Sequence, residues 1–400
     1  MKPVGSPVRR SGDEAPGGAR SVTITEVATT PLLVPYREPY YWARGVVHGA
    51  EVILVEVRTD DGVTGYGESI ATPSADAVQA FLELAGKTCV GRSPFENARL
   101  MAEAYHDLFQ ASGTCSAPRF AGQVLAGLEM ALWDAAGKTA GRPVHELMGG
   151  KVRDEIRYFG FAQGESAEEI AGHAAALADT GCDVIYIKVG RGDALDLAIV
   201  EQVRRAIGPH KRLRIDPNEH WGPVRASRLI RQMRHFDIEF VEQPTIAESV
   251  TALAQVRSSS TVAIAADQLV FTPHDAFDVC REKAADLIVL GLHETGGLLR
   301  FRKAAHVAEA AGIDICLHGL YETGITTCAA NQVASTLANL DDGNQYMNHF
   351  LAWDIVKAPD LALWDGALPV GTAPGLGFEL DLDAVGRAAD AYESRTTDRG

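Results

Sequence analysis

From about Asp154 to Trp353 the sequence repeats one unit, a short apolar run followed by an amphipathic helical stretch. The runs IRYFGFA, DVIYIKVG, RLRIDPN, IEFVEQP, VAIAADQ, DLIVLGL, DICLHG and NHFLAW recur roughly every 25–30 residues, room for one crossover helix each. Eight such units predict an α/β fold, a (β/α)8-type barrel. A doubly wound open sheet is the competing layout, but no Gly-rich phosphate-binding turn follows the first run.

The sequence before the repeat has a different character. SVTITEVATTPLLVP reads as a strand that turns at Pro31 and Pro35, and Asp60-Asp61-Gly62 between two β-branched runs marks a hairpin. PYREPYYWARGVVHG reads as a long aromatic and polar loop. Three helical segments follow, the last of which, GQVLAGLEMALWDAAGKTAG, stops at Gly141-Arg142-Pro143. Four segments result: a flexible leader (1–20), an α+β unit (21–145), the barrel (146–370), and a C-terminal segment (371–400) that returns to the α+β unit.

A formal net charge of −16 disfavours nucleic acid and anionic membranes as partners. No apolar run is long enough for a transmembrane helix, and the leader lacks the apolar stretch of a signal peptide, so a cytoplasmic location is expected. Cys89, Cys115, Cys182, Cys280, Cys316 and Cys328 are scattered and read as reduced thiols.

Catalytic groups of a barrel collect at the C-terminal ends of its strands. Here three successive ends are acidic: Asp216 in RIDPN, Glu242 in FVEQP and Asp267 in AADQ. Three carboxylates aimed at one point repel unless a cation sits among them, and hard oxygen ligands suit Mg2+ or Mn2+. The alternative is three unrelated helix N-caps. Lys188 closes the preceding strand, where a nearby cation would lower its pKa and make it a usable base.

The order of Lys188, Asp216 with Asn218, Glu242 and Asp267 resembles the enolase superfamily, in its mandelate racemase and muconate lactonizing branch. EMALWDAAGKTAGRPVHELMGG is similar to that branch's junction between capping domain and barrel, ETGGLLRFRKAAHVAEAAGI to its sixth β/α unit, and HGLYETGI to its seventh. The similarity runs from about Ser21 to Asp383. It implies that residues 21–145 form a capping domain, that magnesium binds a small-molecule carboxylate substrate, and that a base removes the proton α to the carboxylate, giving an enediolate. It also implies a homo-oligomer, and a lid made of loop 36–50 and GYGES (65–69). Tyr40, Tyr41, Trp42, Arg44 and His48 are then placed near substrate.

The sequence departs from this pattern in two places. Tyr186 replaces the first lysine of the family's Lys-x-Lys, leaving Lys188 as the base and Tyr186 to donate to the substrate carboxylate or act as an acid. On the sixth strand Gly291 stands where the family has a lysine, or an aspartate that orients a histidine. His318 matches the histidine of the seventh strand but lacks that aspartate, and His293, two residues past Gly291, is a second candidate. Gln268 leaves Asp267 as the third ligand. Asn218, Glu322, Trp353 and Asp354 are placed near substrate. An imidazole without an orienting partner is a weak base. The expectation is therefore a lyase in which Lys188 and His318 dehydrate a hydroxylated carboxylic acid. A racemase, epimerase or cycloisomerase is the alternative, and a non-catalytic metal-binding barrel the further one. A metal-dependent hydrolase would carry His-x-His on the first strand, and IRYFGFAQG has none.

Overall fold

The computed structural model describes residues 21–111 and 118–397, so the leader at 1–20 and Cys115 lie outside the described residues. The chain opens with an antiparallel meander of β1 (Ile24–Trp42), β2 (Gly45–Thr59) and β3 (Thr64–Ile70). The β2–β3 turn falls on Asp60-Asp61-Gly62 as the sequence predicts. β1 does not turn at its prolines. It runs through Pro31 and Pro35, which face Ile53 and Gly49 across the ladder. Proline fits there because an edge strand bonds to a single neighbour and leaves alternate N–H positions unused. The stretch 36–50 is likewise a continuation of the β1–β2 hairpin rather than an irregular loop, and GYGES is β3 itself.

Helices α1 (Ala75–Cys89), α2 (Asn97–Tyr105) and α3 (Pro118–Ala140) cover one face of the meander. Ile53, Val55 and Val57 share that face by the two-residue period of a strand, and pack on Val78, Leu82, Leu100, Leu128 and Leu132. The opposite side of α3 presents Ala126 and Met130 to the barrel's core.

After α4 (Val144–Leu147) and β4 (Glu155–Arg157) come seven parallel strands in sequence order: β5 (Gly160–Ala162), β6 (Val184–Lys188), β7 (Arg212–Asp216), β8 (Ile238–Glu242), β9 (Ala263–Ala266), β10 (Leu287–Gly291) and β11 (Asp314–His318). The crossovers are α5 (Ala167–Asp179), α6 (Asp193–Ile207), α7 (Pro223–Met233), α8 (Val250–Ser259), α9 (Pro273–Arg281), and the pair α10 (Leu292–Thr295) and α11 (Leu298–Ala310); α12 (Gly324–Ala334) follows β11. Local sequence dictates these starts: Ser166 and Glu169 form a capping box at α5, and Pro223 and Pro273 occupy first-turn positions of α7 and α9.

NHFLAW does not supply the eighth strand; Asn348–Phe350 is a single 3-10 turn. The barrel is closed by the irregular segment Leu340–Gln345. Asp341 N donates to Ile315 O of β11 at 2.7 Å, and Phe159 N donates to Asn344 O at 2.9 Å beside β5. Its Asp341-Asp342-Gly343 core has none of the β-branched character that marks a strand. β12 (Val356–Ala358), β13 (Ala367–Pro369) and β14 (Glu379–Leu380) are short; β13 pairs with β4. α13 (Leu382–Thr397) then lies back against the meander, with Arg395 paired to Glu51 of β2.

Side chains two residues below the strand ends fill the barrel: Tyr186, Arg214, Phe240, Ala265, Val289 and Cys316 are all buried. Arg214 is tolerated there because Glu239 and Asp341 answer its charge at 2.6 and 2.5 Å. The five described cysteines are free. Among the described residues no helix is long and apolar enough to cross a membrane.

Candidate active site

The parallel register brings the strand-end residues to one rim. Lys188 stands beside Asp216, and Gly291 beside His318. Glu242 closes β8, and Asp267 directly follows β9. Gln243 ties these two exits together: its Oε1 accepts from Asp267 N at 2.9 Å and its Nε2 donates to Thr245 O at 2.8 Å. Asn218, in the left-handed region at φ +42°, folds the β7 exit back so that its N and Nδ2 donate to Asp216 at 2.6 and 2.8 Å.

A cavity of about 380 Å³ opens at this rim. Lys188, His318, Asn218 and Gln268 line its floor, while Trp42 and Arg44 reach it from the β1–β2 hairpin. Arg44 is anchored to Glu219 at 2.6 Å. Tyr40 and Trp42 face the cavity; Tyr41 between them faces away, as strand alternation requires, and its hydroxyl donates to Glu165 at 2.8 Å. His48 lies outside this cavity, beside Leu33 and Arg395.

Lys188 Nζ donates to Asp216 Oδ2. Burial works against the ammonium, but Asp216, with Tyr40 and Glu242 behind it, outweighs burial and raises its pKa. Burial, and then the charges of Asp216 and Asp267, push the Glu242 carboxyl well above the usual range. Asp267 is pushed up to about 7 by burial, opposed by His318 and reinforced by Glu294 and Asp216. Both Asp267 oxygens are buried without a hydrogen-bond partner. A buried carboxylate left so is costly, and a cation is the partner that satisfies it.

Glu242, Asp267 and His318 offer ligand atoms within 4.8 Å of one another. Asp216 is close by, since the Tyr186 hydroxyl contacts its Oδ2 at 2.6 Å and Glu242 Oε1 at 3.1 Å. His318 is the poorer ligand of the four: a hard cation prefers oxygen, and Nδ1 is already spent on Glu294. The donor set therefore fits a divalent cation on Asp216, Glu242 and Asp267.

The partner of His318 is where sequence reasoning fell short. Glu294, in the one-turn helix α10, places Oε2 2.7 Å from His318 Nδ1. Its carboxylate occupies the space next to Gly291, where an added Cβ would come within 2.6 Å of Oε2. So the histidine has a carboxylate partner after all, delivered from three residues beyond the strand end. Burial opposes charge on both groups. His318 is nevertheless raised to about 10 by Asp267 and Glu294, and Glu294 is held below its usual value by His318 and Arg119.

Five other expected positions lie elsewhere. Tyr186 sits one layer beneath Lys188, fully buried and stacked on Phe159 at 4.4 Å between ring centroids, so it braces the acidic ends from below. His293 does not continue the β10 alternation, because the chain turns into α10 after Gly291. It is buried against Thr326 at 2.9 Å, and burial lowers its pKa to about 3. Glu322 accepts from Leu320 N at 3.1 Å beneath the cavity. Asp354 accepts from the backbone N–H groups of Gly324 at 3.2 Å and Ile355 at 2.7 Å, and, like Trp353, does not line the cavity. Glu68 of GYGES is fully buried and takes four hydrogen bonds from Thr323 and Thr326, fastening β3 to the start of α12.

Comparison with known proteins agrees with this architecture. Residues 24–149 match the family model for the mandelate racemase / muconate lactonizing enzyme N-terminal domain, and residues 169–384 match the enolase C-terminal domain-like model. The chain is 32% identical to muconate cycloisomerase 1 of Rhodococcus opacus over 376 residues, covering 91% of this chain and 98% of that protein. It is 31% identical to the L-Ala-D/L-Glu epimerase of Bacillus subtilis, over 79% of this chain and 86% of the relative. The crystal structure of a dipeptide epimerase from Enterococcus faecalis, complexed with Mg and L-Leu-L-Tyr, superposes with a TM-score of 0.82 at 27% identity, covering 89% of this chain and 99% of that one.

Proposed function

The chain belongs to the enolase superfamily, in its mandelate racemase and muconate lactonizing branch, and from that premise we propose that it is a magnesium-dependent isomerase moving the proton α to a carboxylate between two bases, Lys188 and His318. The observation that carries this reading is the Glu294–His318 pair at 2.7 Å on the cavity that Lys188 also lines.

A second base needs an imidazole held in one orientation and one tautomer. Glu294 supplies both constraints at Nδ1 and leaves Nε2 for the cavity. Dehydration suits a histidine without a partner; with Glu294 in place, transfer of a proton between two faces of one carbon is the simpler chemistry. Lys188 takes the proton from one stereoisomer and His318 from the other, and each returns it in the reverse direction. Asp216, Glu242 and Asp267 would hold the metal. When bound, it would supply positive charge that stabilises the enediolate, neutralises the acidic strand ends and lowers the pKa of Lys188. Trp42 and Arg44, on the hairpin, would contact the rest of the substrate.

The substrate class that fits is a small carboxylate with a hydrogen at the α carbon. The named relatives act on dipeptides and muconate, so dipeptides are the first probes. Dehydration of a hydroxy acid is the second reading, favoured by the same pair, because an oriented imidazolium can protonate a departing hydroxyl. Incubation in deuterium oxide with magnesium separates the two. Isomerisation incorporates deuterium at the α carbon and yields the other stereoisomer, whereas dehydration consumes the acid and gives an α,β-unsaturated acid, or a 2-keto acid where the substrate carries hydroxyls on both the α and β carbons. A panel of dipeptides, N-acyl amino acids and hydroxy acids showing neither outcome would overturn the proposal.

A further inference from the structure

We infer that Arg119, on helix α3, is a positioning residue for His318 that acts through Glu294. The inference rests on the two-base reading above. Glu294 has two carboxylate oxygens and a different partner on each: Oε2 meets His318 Nδ1 at 2.7 Å, and Oε1 accepts from Arg119 Nη2 at 3.2 Å. The side chain of Glu294 is 1% exposed, so its rotation is governed by these two partners rather than by water. α10 is a single turn and gives the carboxylate little rigidity of its own.

Arg119, although its side chain is 40% exposed, is braced on one side. Its guanidinium lies 4.7 Å from the Phe271 ring centroid. Gly122, one turn further along the same face of α3, is pressed against the backbone of His293 and Glu294, where an added Cβ would collide with the Glu294 carbonyl. α3 is pinned again lower down, where Glu129 accepts from Leu298 N at 2.8 Å and Leu299 N at 3.1 Å at the start of α11. The meander's helix thus reaches across to the barrel and sets the second oxygen of the carboxylate that orients the histidine. Arg119 also lines the cavity, so the relay ends at the substrate's edge.

Two measurements on the full chain with magnesium test this. In 15N-histidine NMR, the Nδ1 proton of the His318–Glu294 bond, assigned by its loss in His318→Asn, should shift or broaden in Arg119→Met and be restored in Arg119→Lys. With an epimer pair that the wild type exchanges, Arg119→Met should lower α-deuterium incorporation about 10–100-fold from the stereoisomer served by His318 while sparing the one served by Lys188. An unchanged Nδ1 signal in a folded Arg119→Met variant overturns the inference, as does an equal loss from both stereoisomers. Failure of the wild type to exchange any probe would count against the two-base reading instead, and the NMR result would still decide whether Arg119 orients the pair.

Discussion

Glu294 Oε2 lies 2.7 Å from His318 Nδ1, although the two residues sit on neighbouring β/α units and Gly291, not Glu294, occupies the strand end beside His318. The glycine is what lets the carboxylate in. Its φ of −106° is ordinary, so the requirement is one of space rather than backbone conformation. Gly291→Ala should therefore leave the fold intact but push Glu294 out of line. We expect a loss of about 10²-fold in turnover from the His318 side, with little change in Tm, and a comparable or larger loss for Glu294→Gln. Steady-state kinetics beside a thermal melt would check this. A drop in Tm that accounts for the lost activity would count against the assignment.

How much of this could be read from the sequence depends on how locally each feature is encoded. Asp216, Glu242 and Asp267 were visible because a barrel places one strand end per repeat. Glu294 was not, because it reaches His318 from a one-turn helix three residues past the expected position; the signal available was the unexplained glycine at 291. Tyr186 was identified as a departure, but its depth follows from the pleat: two residues below Lys188 is one layer into the barrel. The closing segment at Leu340–Gln345 carries no strand pattern, since its bonds to β11 and β5 come from tertiary closure. β1 ran on through two prolines because it is an edge strand, which only the topology reveals.

Removal of metal gives a sharper prediction for Asp267, whose oxygens are both buried without a hydrogen bond, although Oδ1 lies 3.7 Å from His318 Nδ1. In chelator, Asp267→Asn should melt no lower than the wild type, because the variant no longer buries that charge. With magnesium at about a hundred times Kd the wild type should gain about 2.7 kcal/mol, and the variant almost none. Thermal melts with and without magnesium read this directly. His318→Asn should keep most of the magnesium stabilisation and Asp216→Asn should lose it, if oxygen donors hold the ion.

Glu322 makes a prediction about pH. Burial first, opposed by the Leu320 N–H and reinforced by Glu68, raises its carboxyl from the usual 4.5 to about 8. The unfolded chain gives up this proton near 4.5 while the folded chain holds it, so its stabilising contribution is complete below 4.5 and lost as pH rises toward 8. Glu322→Gln should remove that dependence, flattening the fall in unfolding free energy between pH 5 and 8 by up to roughly 1 kcal/mol per pH unit. Denaturant titrations across that range would show it, and parallel slopes for the two proteins would refute it.

The account stands most directly on stereospecific proton exchange. Each stereoisomer of an accepted carboxylate should be incubated separately in deuterium oxide with magnesium and the wild type, Lys188→Ala or His318→Asn, and deuterium at the α carbon followed by NMR. The two-base account predicts incorporation into both stereoisomers by the wild type, and loss from one with Lys188→Ala and from the other with His318→Asn. Incorporation that survives in both stereoisomers when either residue is removed, or that depends on Lys188 alone, would contradict it.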